Sequence, residues 1–169
     1  MTRSLPDPGF AGDDGSVDAA LSAALAAYDV APGGGGGGQH AVLAALQDAR
    51  VLVPVVAMLG EVEYDEQGLA RDKTSDMAAV LMTGRDGRTA LLAFTGSESM
   101  GQWDPAGRPV AVTARRAAQA ALHDRASALL LDVAGPVLFV VEGDDLELLA
   151  AGHRLVPLDG ERWGWVQTS

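Results

Sequence analysis

The sequence predicts an α+β domain: a mixed sheet containing an antiparallel hairpin, with helices packed against it. Segments with apolar residues at helical spacing alternate with apolar runs of strand length. Two of those runs flank the tight turn Gly84-Arg-Asp-Gly87, which demands antiparallel neighbours. The chain has 169 residues, 48% of them hydrophobic, enough for one domain around one core. It contains no internal repeat.

Residues 1 to 16 are rich in Pro, Gly and Asp and are expected to be mobile. Asp18 to Tyr28 reads as a short helix with Leu21, Leu25 and Tyr28 on one stripe. Gly33 to Gly38, six glycines in a row, reads as a flexible tether. It has no strand before it and no Lys-Ser/Thr after it, as a phosphate loop requires. A second helix, Gln39 to Ala49, turns Val42, Leu43 and Leu46 to the core. Arg50 to Leu59 is an apolar strand buried on both faces, in which Pro54 cannot donate to a ladder and marks a bulge or edge stretch. Residues 60 to 76 form a polar, mostly acidic connection.

Met77 to Thr83 and Arg88 to Phe94 are the arms of the hairpin. Thr95 with Glu98 three residues later fits a capping box for a two-turn helix that Asp104-Pro105 ends. Arg108 to Val112 is a strand, and Thr113 caps a helix over Ala114 to Asp124. Ala128 to Val133 and Val137 to Val141 are strands around Ala134-Gly-Pro136, and Asp144 to Ala151 is the last helix. Arg154 to Pro157 precedes a tail with Trp163 and Trp165, whose indoles share one side if it is extended. The expected organisation is an N-terminal segment over 1–38, one α+β domain over 39–158 and a tail over 159–169.

Composition narrows the chemistry. With no cysteine, the chain supplies no disulfide, thiolate nucleophile or thiolate metal site. A net charge of −11 disfavours a nucleic-acid partner. No apolar run approaches the roughly 18 residues of a membrane span, and the N-terminus has no basic start followed by an apolar stretch, so the cytoplasm is expected. Eleven of the twelve basic residues are Arg, Lys73 being the exception, a usage in keeping with a GC-rich genome.

No pair of the three histidines sits at i, i+3 or i+4, and Glu61, Glu63, Asp65 and Glu66 lack the residue order of a calcium loop, so neither metal nor cofactor is expected. Arg115, Gln119 and His123 share a polar helix face that reads as solvated. The stretch after the hairpin offers a surface where Thr95, Ser97, Trp103 and Arg108, with Lys73 adjacent, would meet a small ligand or a protein partner. An enzymatic alternative makes Ser97 or Lys73 the nucleophile of a small hydrolase or transferase and His123 its base. A third alternative is a scaffold that docks a partner through residues 1–38.

Four segments in order, RVLVPVVA (50–57), DKTSDMAAVLMTGRDGRTALLAFT (72–95), WDPAGRPVAV (103–112) and SALLLDVAGP (127–136), resemble the SseB-like family, named for enhanced serine sensitivity, and its actinobacterial branch. The resemblance spans Gln39 to Gly152. It implies a small cytoplasmic domain of undefined biochemical role, whose family name hints at amino-acid metabolism, and it supplies no catalytic residues. The missing cysteine, the scattered histidines and the lack of a nucleotide fingerprint or paired acids favour a non-enzymatic binding or regulatory domain. The positions it favours for a shared surface are Lys73, Met77, Phe94, Thr95, Trp103, Pro105 and Arg108.

Overall fold

The computed structural model describes residues 10, 12–30, 38–58, 63–64, 70–71, 76–159 and 162–169. Lys73 and most of the glycine run lie outside them. In chain order the elements are α1 (Ala19–Val30), α2 (Gly38–Leu46), β1 (Arg50–Met58), β2 (Glu63–Tyr64), β3 (Ala70–Arg71), β4 (Asp76–Ala79), β5 (Leu81–Thr83) and β6 (Thr89–Ala93). They continue as α3 (Ser97–Trp103), β7 (Arg108–Thr113), α4 (Ala114–His123), β8 (Ala128–Leu131), β9 (Phe139–Glu142), α5 (Gly143–Ala151), β10 (Arg154–Pro157) and β11 (Trp163–Val166). None of the described helices is long and apolar enough to cross a membrane.

The fold is α+β, with a mixed sheet as expected. Strands β5-β6-β8-β9 form that sheet, in which β6 and β8 are parallel and the other neighbours antiparallel. Strands β4-β1-β7 form an antiparallel sheet, and β2-β3 and β10-β11 are two-stranded pairs. The hairpin turn closes with Gly87 at φ 82°, and the Asp86 carboxylate accepts the Arg88 N–H at 3.0 Å.

Pro54 occupies neither a bulge nor an edge. It lies in the central strand β1, opposite Pro109 of β7. Its carbonyl accepts the Val80 N–H at 3.1 Å, but it has no N–H to return. The Val80 carbonyl instead accepts from Leu92 of β6 at 3.1 Å. The strand expected over 77–83 therefore divides at Val80, β4 pairing with β1 and β5 with β6. A Leu52–Phe94 bridge joins the two sheets beside this switch. Only the first half of β1 is buried on both faces; Val56 is half exposed.

Strand alternation produces two cores. Val51, Val53, Leu91, Leu129, Leu131 and Phe139 face one way and meet the helices α1, α2, α4 and α5. Helix α1 begins at the Asp18 cap, whose carboxylate accepts the Leu21 N–H at 3.0 Å. It contributes Leu21 and Leu25 to this core, with Tyr28 edge-on to Phe139 at 5.3 Å. Helix α4 presents a buried face of alanines, Ala114, Ala117, Ala118 and Ala121, and Thr113 caps it through the Arg116 N–H. On the opposite face, Leu52, Leu92 and Phe94 are covered by Met100 and Trp103 of α3.

The polar face of α4 does more than meet solvent. Arg115 and Gln119 donate to the Ala150 carbonyl at the end of α5, which terminates at Gly152 with φ 84°. The segment expected as a tail pairs its β11 with β10. There Trp163 stacks on His40 and the Trp165 indole N–H donates to Asp145 at 3.1 Å, both rings lying against the first core. Gln47, just past α2, donates to the Leu155 carbonyl at 2.9 Å and accepts the Leu155 N–H at 2.8 Å, fixing β10 to α2.

Candidate functional site

Because β6 and β8 are parallel and in register, Ala93 beside Leu131, the residues that follow them emerge at the same end of the sheet. That end is where open α/β arrangements commonly place ligands. Asp132 follows β8 with φ 53°, a left-handed conformation that Asp tolerates better than most residues. This conformation turns its carboxylate onto Thr95, and both residues are buried, Asp132 1% exposed and Thr95 5%. The Thr95 N–H donates to one carboxylate oxygen at 2.8 Å and the Thr95 hydroxyl to the other at 2.7 Å. Burial pushes the Asp132 carboxyl above its ordinary pKa, while the Thr95 and Ser99 donors pull the other way.

With its hydroxyl committed to Asp132, Thr95 does not cap α3. The cap is one residue later, at Gly96. There the Ser99 hydroxyl donates to the Gly96 carbonyl at 3.0 Å and accepts the Gly96 N–H at 3.4 Å. Glu98, the expected partner in the capping box, is exposed.

A segment outside helix and strand, residues 13–17, crosses this cap. The Ser97 N–H donates to the Gly15 carbonyl at 2.7 Å. Arg50, at the head of β1, forms an ion pair with Asp13 and donates to the Ser16 carbonyl at 2.6 Å and the Thr95 carbonyl at 3.0 Å. Between this segment, α1 and the cap lies a cavity of about 690 Å³, into which Thr95, Ser99 and Asp132 contribute. Its charged lining residues, among those described, are Asp29, Glu98 and Asp132, and its apolar wall includes Leu25, Val30 and Val137.

The expected site residues are thus distributed along α3. Thr95 and Ser97 stand at its N-terminal end. Trp103 closes the other end, roughly 10 Å away by helical rise, tilted on Phe94 with ring centroids 5.4 Å apart. Arg108 is exposed at the start of β7, paired with Val55. His123 is at the opposite end of the sheet. Ser127, four residues after it, donates to Thr89 at the beginning of β6, and the extended run from Thr89 to Thr95 covers roughly 20 Å. No hydrogen bond joins Ser97 to a histidine among the described residues, so the nucleophile–base pair is not assembled. Nor do three or more His, Asp or Glu side chains converge as a metal site among the described residues. Such a cavity can hold and orient a molecule through hydroxyls, carboxylates and an apolar wall.

Sequence reasoning missed Asp132 and Arg50 as organisers of this region. The available signal was the placement of Thr95 and Asp132, each a polar residue ending an apolar strand run.

The SseB protein N-terminal domain model matches residues 21–148, which includes most of α1, all of the cavity's strand-end residues and most of α5. The chain belongs to this family. No curated protein and no solved structure matches it. Within the SseB domain the match begins at Leu21, so Gly15, Ser16 and Val17 precede it although they form one side of the cavity.

Proposed function

We propose that this SseB-family chain is a non-enzymatic binding or regulatory domain whose small-molecule site is the cavity beyond β6 and β8. The supporting observation is the cavity itself: about 690 Å³, within the usual range for ligand sites, at the carboxyl ends of two parallel strands. Its described charged groups are acids, and the seven residues after Val30, APGGGGG, carry no charge. A neutral or positively charged molecule with a short apolar part suits it, and amines and amino acids fall in that class. The link to amino-acid metabolism, the actinobacterial branch and the cytoplasm rest on the resemblance of the sequence segments.

A thermal-shift screen of the full chain against amino acids including serine, simple amines, nucleotides and divalent metals tests this reading. A ligand at about 100 times its dissociation constant adds roughly 2.7 kcal/mol. At this chain length that raises the melting temperature by about 5–11 °C. A shift that Glu98→Gln and Asp29→Asn both weaken supports the cavity, and a flat screen overturns the small-molecule reading.

A protein partner is the second reading, favoured by one sheet face. Met77, Val110 and Arg108 lie on the same side of β4-β1-β7, with Met77 54% and Val110 39% exposed. Arg108→Glu should abolish capture of a partner that docks there while leaving the melting temperature unchanged.

A further inference from the structure

The segment over the cap is held differently from everything beneath it. Residues 12–14 and 16–18 are exposed, and Val17, its one large apolar residue, remains 39% exposed. Its attachment is polar: the Arg50 contacts to Asp13 and the Ser16 carbonyl, and the Ser97 N–H to the Gly15 carbonyl. Open volume flanks it on both sides, the ligand cavity on one and a hollow of about 540 Å³ beside Asp13 and Arg50 on the other. Helix α1, which follows, is anchored by buried Leu21 and Leu25, so the chain can leave at residue 18 without disturbing the core.

The seat is nonetheless shaped for this segment. A Cβ on Gly96 would come 2.9 Å from the Gly15 carbonyl oxygen and 3.2 Å from the Val17 nitrogen, both backbone atoms of the segment. Gly96 itself has φ −164° and ψ 175°, extended backbone open to any residue. Glycine is therefore required at position 96 by the closeness of the segment and not by its own conformation. Gly15 answers from the other side, with φ 78° and a Cβ position that would overlap the Ser97 hydroxyl.

We propose that residues 13–17 are a detachable arm, an intramolecular peptide ligand of the seat formed by Arg50, Gly96 and Ser97, and that its release opens the cavity. The proposal rests on the cavity reading only for what enters once the arm has moved. Arg50 recognises the Asp13 carboxylate and the Ser16 carbonyl of the arm, Gly96 admits its backbone, and Ser97 registers it by one hydrogen bond. Rigid β1 and the helix cap carry the seat, so the arm is the movable partner.

Gly96→Ala in the full-length chain is a selective probe, because the three atoms nearest the added methyl all belong to the arm's backbone. Amide exchange and uptake of the neutral dye Nile red are measured together on ligand-free protein. The expected result is at least tenfold faster exchange at the Ser97 amide, severalfold greater dye fluorescence and unchanged exchange at Leu91 and Leu129. Unchanged Ser97 exchange overturns the proposal, as does faster Ser97 exchange with no gain in dye uptake. Should Gly96→Ala fail to fold, Arg50→Gln, which loosens the arm from the strand side, is read by the same criteria. A chain that releases its arm and takes up dye while the ligand screen stays flat overturns the small-molecule reading and leaves the arm established.

Discussion

Removing the Asp132 carboxylate should unfasten the ends of β6 and β8 from each other. The two hydrogen bonds from Thr95, at 2.8 and 2.7 Å, are made to a carboxyl that is 1% exposed, so water cannot replace it. A hydrogen bond to a charged group contributes about 1.5–3 kcal/mol, so losing both in Asp132→Ala should cost about 3–6 kcal/mol. At roughly 3 °C per kcal/mol, the melting temperature falls by about 9–18 °C. Asp132→Asn behaves differently. Asn keeps one oxygen for the Thr95 N–H, its amide can donate to the Thr95 hydroxyl, and it tolerates the φ of 53°, so its cost is about 0–1.5 kcal/mol.

The pH dependence separates the charge from the geometry. Burial raises the folded-state pKa of Asp132 above its ordinary 3.8, so the folded chain binds this proton more tightly than the unfolded chain. Its contribution is therefore full below 3.8 and declines as pH rises through the folded value. Because Asn does not titrate, the stability advantage of the natural chain over Asp132→Asn should shrink with rising pH. Thermal or urea unfolding of the three proteins between pH 3.5 and pH 8 provides the measurement. Equal losses for Ala and Asn, or an advantage that grows with pH, would refute the reasoning.

Leu21→Ala should cost about 2–5 kcal/mol by urea unfolding in a single transition, because Leu21 is fully buried in the common core. A loss below 1 kcal/mol would make α1 an accessory. Gly152→Ala should cost about 1–2 kcal/mol, since φ is 84° and the new methyl would meet the Arg115 guanidinium carbon at 2.8 Å; denaturant unfolding reads it. Arg154 holds the Asp48 carboxyl below its ordinary pKa through their hydrogen bonds, so this pair supports folding above 3.8 and loses its effect as pH falls. Arg154→Ala should let the Asp48 pKa rise to about the ordinary value by NMR titration, with a stability loss of only about 0.2–1 kcal/mol because the pair is exposed.

Local chemistry was legible in the sequence. Apolar spacing located α1 and α2, Asp86-Gly87 located the hairpin, Thr113 was correctly identified as a cap, and Asp104-Pro105 ended α3. What escaped depends on residues far apart in the chain. Thr95 looked like a cap because its neighbours suggest one, yet its hydroxyl is claimed by Asp132, 37 positions away. Pro54 looked like an edge residue because a missing N–H is usually left to solvent; here the strand opposite changes partner at that point. Arg50 carried no signal at all as the head of an apolar strand. Its role exists only once the segment at Asp13 folds back on it.

The reciprocal hydrogen bonds between Gln47 and Leu155 bear on where this domain can be cut. The family match stops at residue 148, inside α5, yet Leu149, Ala150 and Leu155 belong to the first core. A fragment trimmed to the matched span would strip the Gln47 amide of both its backbone partners and remove the Ala150 carbonyl that Arg115 and Gln119 hold. The stretch that similarity recognises is thus shorter than the stretch that must be present for the protein to close. Truncation studies and domain fusions should keep the chain to Val166, where β11 completes its pairing with β10.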